Sequence, residues 1–226
     1  MKQKALIVIS GGLDSVVALY QAVNTYDVEL GVSFNYGSKH NHKEIPFAKY
    51  HCVRMGVRHL SVNLDFINDY FNSTLLRSGG IIPDGHYTDE VMKQTVVPFR
   101  NGIMLSIAAG MAESLDINKL IIGAHSDDHG IYPDCRENFI KAMSSAVSLG
   151  TYNNAEIIAP FLTMKKSEIV SVGSSLGVDF SKTWSCYKGK EKHCGKCGTC
   201  TARREAFKSA EVKDPTEYEE DTVAKA

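Results

Sequence analysis

Apolar positions along the chain cluster into five short strand-like segments, and between them apolar and polar residues recur at helical spacing. Residues 5–9, Ala-Leu-Ile-Val-Ile, are continuous and rich in β-branched side chains, the pattern of a strand buried on both faces. Residues 16–23 follow at helical spacing, and 28–34 read as a second strand. A helix is expected over 44–55, ended by Gly56. Residues 60–64 form a third strand, 101–115 a helix of small side chains suited to lying close against a sheet, 120–123 a fourth strand and 156–159 a fifth. Strands alternating with helices predict right-handed crossovers and one parallel, doubly wound α/β sheet.

Such sheets bind ligands beyond the carboxyl ends of their strands. Three polar, glycine-containing segments fall there: 10–15 after the first strand, 35–37 after the second and 125–136 after the fourth. An irregular stretch over about 68–97 contains Gly79-Gly80 and Pro83-Asp84-Gly85 and reads as a substrate lid or a plain insertion. From Lys213 onward the chain turns polar and acidic, the pattern of a frayed tail.

The net charge of −1 over 226 residues offers no field for a polyanion, so no direct nucleic-acid partner is expected. The basic and apolar start is too short for a signal peptide, and Ser10, Gly11, Gly12 and Asp14 interrupt it. No run approaches the roughly 20 apolar residues of a membrane span, so a cytoplasmic protein is expected.

The segment Ser10-Gly11-Gly12-Leu13-Asp14-Ser15 joins a strand to a helix. Its glycines let successive N–H groups turn toward a ligand, and the helix N-terminus adds partial positive charge, which together suit pyrophosphate. Ser10 and Ser15 offer hydroxyl donors; Asp14 either caps the helix or reaches a magnesium ion on the nucleotide. No Gly-Lys-Ser or Gly-Lys-Thr follows, so this is not a Walker loop. The hexapeptide resembles the signature of the ATP-pyrophosphatase superfamily, a Rossmann-type fold of the HUP kind. The resemblance implies that ATP is cleaved between its α and β phosphates and that residues Ile9, Ser10, Gly11, Gly12, Leu13, Asp14 and Ser15 hold it.

Four of the six cysteines crowd into fifteen residues as Cys186-x7-Cys194-x2-Cys197-x2-Cys200. Cys-x2-Cys turns with glycines at 195 and 198 bring sulfurs onto one ion, and four thiolates close a tetrahedral, structural zinc site. An iron–sulfur cluster would use the same ligands. The expected organisation is an α/β domain over 1–180, a zinc-binding tail with a helix over 181–212, and an acidic tail over 213–226.

Together these motifs resemble the 7-cyano-7-deazaguanine synthases of queuosine biosynthesis from about residue 5 to 204. The resemblance includes Asn35-Tyr36-Gly37 with His40 and Glu44, Val97-Pro98-Phe99-Arg100-Asn101, and Tyr132-Pro133-Asp134-Cys135-Arg136. It continues through Pro160-Phe161 with Lys166-Ser167-Glu168-Ile169, and Trp184-Ser185-Cys186 with the cysteine tail. It departs at Phe99, where a small residue is usual, and at Ile131, where glycine is common. The implied activity is a carbon–nitrogen ligase: ATP with magnesium adenylates 7-carboxy-7-deazaguanine, ammonia gives the amide, and a second activation gives the nitrile. A homodimer is implied too. Arg100 is then a counter-charge to the nucleotide or acyl-adenylate, or a structural ion pair. Asp134 reads the guanine-like edge or shapes a turn, and Lys166 is a catalytic group or part of a helix face. Cys135 is a nucleophile or an inert buried thiol. The alternatives are an ATP-pyrophosphatase that modifies a base within tRNA, and a related ligase acting on another deazapurine carboxylate.

Overall fold

The computed structural model describes residues 2–85 and 93–219. Five strands, β1 (Lys4–Val8), β2 (Asp27–Asn35), β3 (Arg58–Asn63), β4 (Lys119–Ile121) and β5 (Glu156–Ile158), form one sheet in the order β3-β2-β1-β4-β5. Every pairing is parallel, as the alternation of strands and helices predicts. The chain winds from β1 outward to β3, then crosses back to place β4 on the other side of β1. The loops leaving β1 and β4 therefore diverge, and a crevice opens between them.

Seven helices frame the sheet among the described residues: α1 (Leu13–Thr25), α2 (Asn41–Arg54), α3 (Asp65–Tyr70), α4 (Arg100–Ser114), α5 (Glu137–Gly150), α6 (Lys166–Ser175) and α7 (Gly198–Ser209). Leu6 packs with Leu105, Ala108 and Ala112 of α4 on one face, whereas Ile7 packs with Val16 and Val17 of α1 and Ile169 of α6 on the other. Both strand residues are fully buried, which explains the unbroken apolar run. The alanines of α4 let that helix lie close to β1 and β4. Helix α2 starts three residues earlier than its pattern suggests, because the Asn41 side chain accepts from the N–H groups of Tyr36 and Ser38 and folds the preceding turn. Gly56, at φ 71°, follows its end.

Two sequence expectations are changed. Residues 213–219 are not frayed: Tyr218 is buried, its hydroxyl donates to Asp214 at 2.7 Å, and Asp214 pairs with the fully buried Arg203 at 3.2 Å. One aromatic and one paired carboxylate hold down a run that composition alone marks as solvated; 220–226 lie outside the described residues. The described parts of the 68–97 stretch are also anchored. Leu75, Leu76, Ile82 and Val97 are buried, and the Lys39 ammonium donates to the carbonyls of Thr74, Gly79 and Gly80. The centre of the expected lid, 86–92, lies outside the described residues.

Candidate active site

A cavity fills the crevice between the loops after β1 and β4, and the 10–15 loop forms its floor. Gly12 is the N-cap of α1, and Gly11 stands at φ +97°, where a Cβ would lie 2.0 Å from the Glu44 carbonyl oxygen. Only glycine permits that approach of α2. The Ser15 hydroxyl accepts from the N–H groups of Ser10 and Gly11 at 3.2 and 3.3 Å and donates to the Gly12 carbonyl at 3.1 Å. Ser10 Oγ accepts from the Gly12 N–H at 3.0 Å. The two serines thus preform a turn whose N–H groups converge on one oxygen, which an anionic oxygen would replace as the stronger acceptor.

Asp14 does not cap α1; it sits one residue inside the helix and turns into the cavity. Its Oδ2 meets Lys166 Nζ at 2.7 Å and lies 3.6 Å from His125 Nε2. His125 Nε2 also lies 3.4 Å from Asp128 Oδ2. Burial opposes ionisation of Asp14, but the Lys166 ammonium and His125 overcome it and hold the carboxyl well below the usual carboxylate range. Asp128 is pushed up by burial, with His125 and Lys166 pulling against it. Lys166 thus turns into the cavity, and with His125 it completes a quartet of ionisable groups under the 10–15 loop. Gly123, just beyond β4, makes room for this, since a Cβ there would stand 3.0 Å from the Ser15 nitrogen.

The opposite wall begins with Arg100 at the start of α4. Its guanidinium donates to the Tyr36 hydroxyl at 2.8 Å and lies over that ring at 5.3 Å. Tyr132 and Tyr187 join it, their hydroxyls 2.9 Å apart, so three tyrosines line the cavity. Glu44 and His40, one turn apart on and before α2, face one another at 3.6 Å. Burial pushes the Glu44 carboxyl up to about 8, against the pull of Arg100. Burial and Arg100 together push His40 down to about 3. Neither residue carries a role in the sequence reading, nor do His125, Asp128 and Tyr187.

Asp134 is buried but not among the residues lining the cavity. Its Oδ2 accepts from the backbone N–H of Asn101 at 2.7 Å, capping α4 from outside because Phe99, the N-cap residue, makes no side-chain bond. Of the two roles expected for Asp134, this arrangement favours the structural one, a carboxylate that caps α4 behind Arg100. Cys135 lines the cavity and accepts from Asn101 Nδ2 at 3.1 Å, but burial pushes its thiol well above the ordinary range, as an inert cysteine requires. Phe99 has left-handed φ 52° and stacks edge-on against Phe139 at 5.6 Å.

The tail closes the cavity. Trp184 donates its N–H to the Gly11 carbonyl at 3.0 Å, and Trp184, Ser185, Tyr187 and Thr199 line the cavity. Cys186, Cys194, Cys197 and Cys200 are all buried, none is in a disulfide, and their sulfurs lie within 4.8 Å of one another. Tetrahedral Zn–S bonds of about 2.3 Å place sulfurs about 3.8 Å apart, and Cys194–Cys200 and Cys197–Cys200 stand at 3.9 and 3.5 Å. The donor set fits a single thiophilic ion; an iron–sulfur cube would hold its cysteines farther apart.

A family model described as queuosine biosynthesis protein QueC matches residues 4–211. A 7-cyano-7-deazaguanine synthase of Porphyromonas gingivalis is 53% identical over 218 residues, 96% of this chain and 98% of that protein. One from Caldicellulosiruptor saccharolyticus is 50% identical over 216 residues, 96% of each. Among solved structures, the NMN synthetase of Francisella tularensis superposes with a TM-score of 0.53 at 13% identity, covering 94% of this chain and 79% of its own. The U34-tRNA thiolase NcsA of Methanococcus maripaludis, solved with its 4Fe–4S cluster, gives 0.52 at 17%, covering 92% and 72%. At those identities the two structures bear on the fold alone, and the fold they share is the one described above.

Proposed function

The chain belongs to the queuosine biosynthesis protein QueC family, and on that premise we propose that it converts 7-carboxy-7-deazaguanine and ammonia into 7-cyano-7-deazaguanine at the expense of ATP. It is an ATP-dependent carbon–nitrogen ligase. The observation that carries the reading is the phosphate loop at the floor of a cavity whose far wall is three tyrosines and an arginine, in a chain about half identical to synthases of that name over nearly its full length.

In this reading residues 9–15 hold the leaving pyrophosphate by N–H groups and the serine hydroxyls. Lys166, held by Asp14, offsets charge on the phosphates as the bond to pyrophosphate breaks. Asp14 Oδ1 is buried with no hydrogen-bond partner, a free carboxylate oxygen suited to the magnesium that accompanies ATP. Arg100 faces the acyl-adenylate, and Tyr36, Tyr132 and Tyr187 offer faces on which a flat deazapurine stacks. Cys186, Cys194, Cys197 and Cys200 would hold zinc, which supplies no chemistry to the reaction and secures the tail against the loop. A cytoplasmic homodimer without a nucleic-acid partner belongs to the same reading; the net charge of −1 supports the last point.

The test is mass analysis of 7-carboxy-7-deazaguanine incubated with zinc-loaded protein, magnesium-ATP and ammonium. The amide and then the nitrile are expected, each with stoichiometric AMP. Neither product from folded, zinc-loaded protein would overturn the reading. Tight tRNA binding at physiological salt would favour base modification in place.

A further inference from the structure

The ligase chemistry just proposed, on which this inference rests, removes three protons from one nitrogen. When ammonia attacks the acyl-adenylate, its lone pair forms the C–N bond, the C–O bond to AMP breaks, and one N–H proton leaves to give the amide. When the amide oxygen attacks the α-phosphorus and pyrophosphate departs, a second proton is lost and an O-adenylated imidate remains. Expulsion of AMP turns the last N–H electron pair into the second C–N π bond, and the third proton leaves with formation of the nitrile. Attack by the original carboxylate on ATP, in contrast, moves no proton.

We propose that the Glu44 carboxylate is the group that accepts these protons. It lines the cavity from α2, and its Oε1 stands 3.6 Å from where a Cβ on Gly12 would be, against the loop where pyrophosphate is released. The packing of its own carbonyl on Gly11 holds this turn of α2 against the loop. The other acidic groups facing the cavity are committed. Asp14 is tied to Lys166, Asp128 faces His125, and Cys135 is a buried thiol. Among the described residues Glu44 has no ion-pair partner such as Lys166 beside it. His40 from the turn before α2 stands at 3.6 Å and is held neutral by burial, Tyr36 beyond β2 is neutral, and Arg100 of α4 acts across the cavity. Burial without a paired cation sets the carboxyl at about 8, matched to taking up a proton near neutral pH. Its side chain is 13% exposed, enough to return each proton to water between steps.

Glu44→Gln separates the steps. In the zinc-loaded variant, acid-dependent exchange of labelled pyrophosphate into ATP should stay within about threefold of the parent, while amide formation and conversion of supplied amide to nitrile should each fall by about 10²–10⁴-fold. Raising pH, which supplies free ammonia, should partly restore amide formation. Glu44→Asp, which keeps a carboxylate, should recover part of both steps. Loss of exchange together with the product steps in a folded variant would make Glu44 a binding residue and overturn the proposal, as would product formation at the parental rate. Absence of exchange in the parent protein would overturn the ligase reading itself, a separate outcome from either.

Discussion

Asp14 Oδ2 and Lys166 Nζ meet at 2.7 Å across 152 residues of sequence, joining the first turn of the helix after β1 to the first turn of the helix after β5. The pair lies beneath the phosphate loop and sets the side-chain charge there. Lys166→Met should cost about 2 kcal/mol in urea denaturation, less than a fully buried pair because the two side chains stay 17% and 21% exposed. The same variant should raise KM for ATP at least tenfold in a pyrophosphate-release assay. An unchanged KM would remove Lys166 from the nucleotide site.

Stability should vary with pH through Glu44 and His40 in opposite senses. Glu44 keeps its proton in the fold up to about 8, whereas the unfolded chain gives it up near 4.3. Its contribution therefore falls as pH rises through that window. His40, held near 3, refuses a proton that the unfolded chain binds below about 6.5, so its contribution falls as pH drops from 6.5 toward 3. Denaturation midpoints of Glu44→Gln and the parent should converge near pH 4 and separate in favour of the variant by pH 8. Parallel profiles would show that Glu44 is ordinarily ionised.

Asp134→Ala removes the outside cap of α4 and should cost about 1–2 kcal/mol in stability. Because Asp134 does not line the cavity, KM for the deazapurine should move less than kcat, the change coming through Arg100 at the same helix terminus. A KM rise of a hundredfold with stability intact would return Asp134 to direct recognition.

If the four cysteines hold zinc as proposed, emission spectrometry should find one zinc per chain in the parent and none in Cys197→Ser, whose thermal midpoint should fall, since three thiolates and a hydroxyl hold the ion poorly. Ligase activity should fall with it, because the tail carries Trp184 and Tyr187 into the cavity. Full activity in metal-free protein would contradict a structural role.

Much of this was legible in the linear pattern. The continuous apolar run at 5–9 required a strand buried on both faces, and Ser10 to Ser15 required a turn at its end; both are where expected. The Cys-x2-Cys spacing carried the metal cluster because its geometry is local. What escaped was long-range. Asp14 found Lys166, and Glu44 came to face Arg100 across the cavity, through the sheet order that sets the elements after β1 beside those around β4 and β5 rather than through spacing. Asp134 kept two readings for a related reason: a carboxylate after a proline looks the same in sequence whether it faces a ligand or the N–H groups at a helix start. Tyr218 was lost in an acidic run because one burial outweighs the composition around it.

The last wall of the cavity comes from residues 184–199, near the end of the chain, while its floor comes from residues 10–15. During synthesis the loop is made well before this wall. A nascent chain therefore carries the 10–15 turn before the residues that enclose it. The hydrogen bond from the Trp184 N–H to the Gly11 carbonyl is the point at which the two ends close the ring. A chain cut between residues 15 and 184 would carry the turn and lack that wall.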